Sequence, residues 1–135
     1  MISLFSCPKP FRGHTGVIQR NAIRSWLQLP AEREIILFGD DGTADVAADL
    51  HVGHVKEIER NQYGTPLINW IFATAQKIAK HELLCYVNAD IILLTDFVNV
   101  VKQVHGLDSR FLVVGHRWDV DIGGTWDFQT QDWEA

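Results

Sequence analysis

The sequence is poor in several features that would settle a function at sight. Of its 135 residues only two are cysteine, Cys7 and Cys85, far apart and in no metal-ligand spacing, which excludes a disulfide framework and favours free thiols in a reducing compartment. Lys and Arg number 12 against 17 Asp and Glu, a formal net charge of −5, and no basic run occurs. A surface that tracks a nucleic-acid backbone is therefore not expected. The longest apolar runs are interrupted by Asn88, Asp90 and Asp96 and fall short of the ~20 residues that span a bilayer. The start, "MISLFSCPKP", lacks the basic segment and apolar core of a signal peptide, so a cytoplasmic protein is expected. Neither a Walker lysine motif nor a GxGxxG after a strand is present, which removes the main support for P-loop and dinucleotide-binding readings.

What is there is an alternation of short apolar runs and amphipathic stretches. Hydrophobic residues make up 47% and charged residues 21%, ordinary usage for one folded domain. "ISLFS" (2–6), "EIILF" (34–38), "VGHVKEI" (52–58), "LLCYV" (83–87) and "RFLVVG" (110–115) read as strands. Between them, Ile18, Ala22 and Trp26 with Ile23 and Leu27 predict a helix from Gly16 that Pro30 closes. "ADVAADL" predicts a short helix over 44–50. A further helix is expected to start at Thr65 as cap with Pro66 in its first turn, keeping Leu67, Ile71, Ala75 and Ile78 on one face. "DFVNVVKQVHG" predicts a last helix closed by Gly106. Strands alternating with helices imply an α/β, doubly wound, mostly parallel sheet with helices on both faces. That domain is expected to cover residues 1–116. Residues 117–135, polar and aromatic with three of the five tryptophans, read as an irregular tail.

Ligands of such a sheet bind beyond the carboxyl ends of its strands. The segments expected there are "CPKPF", "GDDGT", "ERNQYGTP" and "NADIIL". Asn88 and Asp90 are two apart, so in extended chain both point to one side while Ala89 points away. Oxygen donors of this kind suit manganese or magnesium held with a nucleotide, whose phosphates complete the shell. The plain alternative is that they form a turn and cap the next helix. Asp40 and Asp41 could likewise be ordinary turn chemistry or could accept hydrogen bonds from a base or ribose. Arg60 could meet a diphosphate or be a surface charge. His51 and His54, three apart, are expected to be surface imidazoles rather than a zinc pair, and Ser6, Ser25 and Ser109 lack a nucleophile-elbow context.

Taken in order, the strand running into a proline loop, "ILFGDDGTAD", "RNQYGTPLIN" and "YVNADIIL" resemble the donor-binding half of glycosyltransferases with the GT-A fold, the nucleotide-diphospho-sugar transferase superfamily. "ILFGDDGTAD" is similar to the "VVDDGSxD" segment of family-two members, and "YVNADIIL" stands where their DxD metal motif stands. The resemblance implies a nucleotide site built from Cys7, Pro8, Asp40, Asp41, Arg60 and Asn88, with Asp40 on the base or ribose. It implies that Asp90 holds Mn2+ or Mg2+ against the diphosphate of a sugar nucleotide, a UDP-sugar first among the donors. Asn88 replaces the first acid of the motif, which leaves a weaker cation site with Asn88 as a ligand, or frees Asn88 to contact the ribose or donor sugar. The reaction implied is glycosyl transfer to an acceptor, the metal stabilising charge on the departing diphosphate. Nothing in the chain matches the catalytic base of the inverting members, so the tail is expected to begin an acceptor-side half. Two other readings compete. A sugar-phosphate nucleotidylyltransferase would carry a Gly- and Arg-rich loop after the first strand, which "CPKPFRGHTG" does not resemble. A nonenzymatic α/β nucleotide-binding or interaction module would use "GDD" and "NAD" as turns and the tail as a contact surface.

Overall fold

The computed structural model describes residues 1–107, 109–130 and 132–134. Strands β1 (Ile2–Ser6), β2 (Arg33–Phe38), β3 (Gly53–Val55) and β4 (Leu83–Tyr86) form one sheet in the order β3-β2-β1-β4. Every pairing is parallel. Helices α1 (Gly13–Gln28), α2 (Thr43–Leu50) and α3 (Ile68–Ile78) connect consecutive strands, and α4 (Asp96–His105) follows β4. The α/β class read from the alternation is the class observed. Among the described residues no helix is long and apolar enough to cross a membrane.

β1 is central and wholly buried, and its alternation divides the core between two faces. Leu4 looks toward α1, α2 and α4, packing with Ala22, Ile23, Trp26, Val46 and Val101. Phe5 looks the other way, toward Ile71 and Ala75 of α3. It meets Phe38, Phe72 and Tyr86 edge-on, at ring-centroid distances of 6.4, 5.0 and 5.5 Å.

α1 also carries buried polar side chains, and each fastens a neighbouring segment. Asn21 donates to the carbonyl of Gly124 and accepts from the N–H of Trp126, both at 2.9 Å, so one carboxamide stands in for a strand partner. The Glu134 carboxylate accepts from the N–H and hydroxyl of Thr95, just before α4. The irregular tail is thus tied to the domain, with Ile122 buried and Trp126, Phe128 and Trp133 in mutual contact. The expectation for the tail's last residues extends to Gln131 and Ala135, which lie outside the described residues.

The strand expected over 52–58 shortens to β3, Gly53–Val55, and two further expectations fail. α3 begins at Ile68 rather than at a Thr65 cap, because residues 59–67 form a tight loop first. Leu67 N–H bonds to Glu59 O, Arg60 and Pro66 form an antiparallel bridge, and Asn61 Oδ1 accepts from the N–H groups of Tyr63 and Thr65. Ile78, expected on the buried face, is exposed.

The second failure is residues 110–115, which form no strand. A fifth parallel strand outside β4 would continue in the direction already travelled from β3 to β4. That earlier crossover uses α3, whereas α4 lies on the opposite face with α1. The new crossover would have the opposite hand to the one made by α3. Parallel crossovers are right-handed in about 98% of cases, so strand propensity alone does not place this segment on the edge.

Candidate functional site

The chain lays down β1, β2 and β3 in one direction and then places β4 on the other side of β1. The strand order therefore reverses between β1 and β4, and the crevice beyond their carboxyl ends is the expected ligand position. β2 and β4 flank β1, so the loops carrying Asp40 and Asp90 leave the same edge of the sheet. Two strand spacings separate them, about 10 Å. Cys7 and Pro8 leave that edge from the strand between.

Each loop is held by contacts that local sequence does not announce. Buried Gln19 of α1 accepts from Lys9 N–H at 2.7 Å and donates to Lys9 O at 2.9 Å, which fixes the proline loop. Arg12 Nη2 donates to both carboxylate oxygens of Asp41, at 2.7 and 2.9 Å, and Phe11 N–H bonds to Asp41 O. Asp41 is thereby committed to joining the loops after β1 and β2. A surface pair of this kind contributes at most about 1 kcal/mol. Gly39 sits at φ 130° between β2 and the acids, a conformation in which a Cβ would be strained. Asp40 faces Arg60 at 3.8 Å, and both side chains remain about half exposed. Arg60 is presented by the loop before α3, where its Nη1 donates to Gly64 O.

The loop after β4 has the alternation expected of it. Val87 and Ala89 are buried, whereas Asn88 and Asp90 are exposed. The Asn88 carbonyl accepts from Ile91 N–H at 3.0 Å, which closes a turn. The turn half of the plain reading is therefore present. The capping half is absent, since α4 starts after Thr95 and Asp90 does not bond to it. Among the described residues neither the Asn88 nor the Asp90 side chain has a hydrogen-bond or ion-pair partner. The loop is fastened from beneath instead: Trp26 Nε1 donates to Ile91 O at 2.8 Å and Leu93 N–H to Ser25 Oγ at 3.0 Å. Ile91, Ile92 and Leu93 pack against the core, and Leu94 turns outward.

Tyr86 belongs to this rim and is easily passed over, because it closes an apolar strand and reads as core. Burial chiefly raises its pKa, and the Cys7 and Asp90 charges raise it further against a hydrogen bond involving the Cys7 backbone. Cys7 is raised by burial and partly relieved by Arg60. Asp40, Arg60, Cys7, Tyr86 and Asp90 thus form a chain of electrostatic neighbours around one edge. Cys85 lies back within β4, and burial pushes its thiol up from 9.0 to about 11. All three acids hold their protons more tightly folded than unfolded. Their contribution is fully present at neutral pH and is lost as the unfolded chain ionises first. Urea stability is therefore expected to fall from about pH 9 toward pH 11, and a flat profile over that window would contradict their burial.

His51 and His54 do not form a metal pair. His54 bonds through Nε2 to Gly39 O at 2.6 Å and supports the end of β2, so it is more than a surface imidazole. His51 is exposed at the end of α2, in left-handed backbone at φ 55°. Among the described residues no three His, Cys, Asp or Glu side chains gather to hold a metal ion. Any cation at the rim would complete its shell with water or with a bound molecule. The chain matches no protein-family model, and no curated protein matches it.

Proposed function

We propose that this chain is a glycosyltransferase-like domain that binds a nucleotide-diphosphate sugar, a UDP-sugar foremost, through a divalent cation at the carboxyl edge of its sheet, in the cytoplasm. The observation that carries the proposal is Asp90. It is an exposed carboxylate with no partner among the described residues, directly beyond the strand-order reversal, on a loop that Trp26 and Ser25 hold from below. A free acid on a fixed support is what a cation site requires, and a turn alone does not.

Asp90, with the Asn88 amide oxygen beside it, offers hard oxygen donors that fit Mn2+ or Mg2+. Two such donors are too few to retain a cation alone, so diphosphate oxygens and water would complete the shell. When bound, the cation would neutralise charge developing on the departing diphosphate. Asp40, two strands away, would accept from a base N–H or a ribose hydroxyl. Arg60 adds a positive charge 3.8 Å from the Asp40 carboxylate. Cys7 and Pro8 line the path between them. Asp41 would have to leave Arg12 before it could bind a ligand.

The test is isothermal titration with UDP and GDP, with and without manganese. Binding is expected only with the metal, and Asp40→Asn is expected to lower nucleotide affinity while leaving the metal requirement intact. A second reading, a nonenzymatic interaction module, is favoured by the exposed apolar run at residues 111–114. Absent or metal-independent binding would select it.

A further inference from the structure

β4 pairs only with β1, so its outer row of N–H and C=O groups has no strand partner among the described residues. A groove of about 610 Å³ runs along that edge. Its inner wall is Cys85 and Val87, its floor is Phe97 and Val101 of α4, and its outer wall includes Phe111 and Val113. The outer wall belongs to the segment that reads as a strand and forms none. Leu112 and Val114 in it are 87% and 79% exposed, with Val100 and Leu107 also open to solvent.

An open strand edge beside an unpaired β-prone run is a template for strand addition, which natural proteins seldom leave uncovered. Addition within one chain meets the obstacle already described: with α4 on the α1 face, the crossover would have the disfavoured hand. That obstacle vanishes when the strand comes from another molecule, because no crossover joins it to the edge it fills. We infer that this edge is an interface between two copies of the chain, residues 111–114 of each adding to β4 of the other. Acceptor and donor lie next to each other on every copy, so the exchange is reciprocal, and a two-fold arrangement uses both β4 edges and leaves neither for a third copy. It buries an exposed apolar run and supplies partners for the β4 backbone. The inference is independent of any nucleotide.

The experiment is sedimentation of the full chain over about a hundredfold range of concentration, with amide hydrogen exchange at both ends of the range. It is repeated with Leu112→Lys combined with Val114→Lys. Both side chains project into solvent, so the variant is expected to fold as the parent does, checked by an unchanged urea midpoint. The parent is expected to dimerise, with the amides of residues 111–114 and of β4 protected in step with dimer formation. In the variant the dimer dissociation constant should rise at least tenfold, with loss of that protection. A monomer throughout, protection that does not depend on concentration, a dimer indifferent to the two lysines, or open-ended growth would each overturn the inference.

Discussion

Trp26→Ala is expected to destabilise the domain by about 3–5 kcal/mol, the range for emptying a fully buried aromatic site. Trp26 has no solvent exposure and packs in the larger core among side chains of β1, α2 and α4. Its indole N–H also satisfies the carbonyl of Ile91, the residue after Asp90. Trp26→Phe separates the two roles. Most of the packing survives, but the Ile91 carbonyl loses its partner at a cost of about 1–3 kcal/mol. Urea unfolding of both variants measures the difference. A Trp26→Phe variant as stable as the parent would mean that the hydrogen bond to the site loop contributes nothing to stability.

Asp90→Ala is expected to weaken manganese-dependent nucleotide binding at least tenfold, about 1.4 kcal/mol or more, since a charged ligand to the cation is lost. Asp90 is exposed and pairs with no other side chain among the described residues, so fold stability should stay within about 0.5 kcal/mol of the parent. Affinity lost without stability lost distinguishes a ligand from a structural acid. A residue that merely shaped the turn would behave in the opposite way, lowering the unfolding midpoint and leaving binding intact.

Much of the scaffold was legible because its signals are local. The continuous apolar runs of β1, β2 and β4 announced strands, although β4 at the sheet's edge is only half-buried, and the Ile18, Ala22, Trp26 spacing announced α1. The outward pairing of Asn88 and Asp90 with Ala89 turned inward likewise follows from their spacing. Where the reading failed, a partner distant in sequence or a property of the whole sheet decided. Residues 110–115 have strand composition, but composition carries no record of the face on which α4 packs. Thr65 and Pro66 make a plausible helix start, yet Asn61 claims the Thr65 N–H and the loop closes before the helix begins. Tyr86 escaped notice because its value to the rim depends on Cys7, which only the parallel pairing of β1 with β4 brings near it. The Arg12 grip on Asp41 joins residues 29 positions apart.

The central physical claim is that the loops after β1, β2 and β4 surround one metal-bound nucleotide. Paramagnetic broadening of amide NMR signals by Mn2+ in the presence of UDP tests it most directly. Broadening is expected to centre on Asn88 and Asp90, extend to Cys7 and reach Asp40 more weakly, while His51 and His81 at the opposite end of the sheet stay sharp. Broadening centred on His51 or His81, or none that requires the nucleotide, would contradict it.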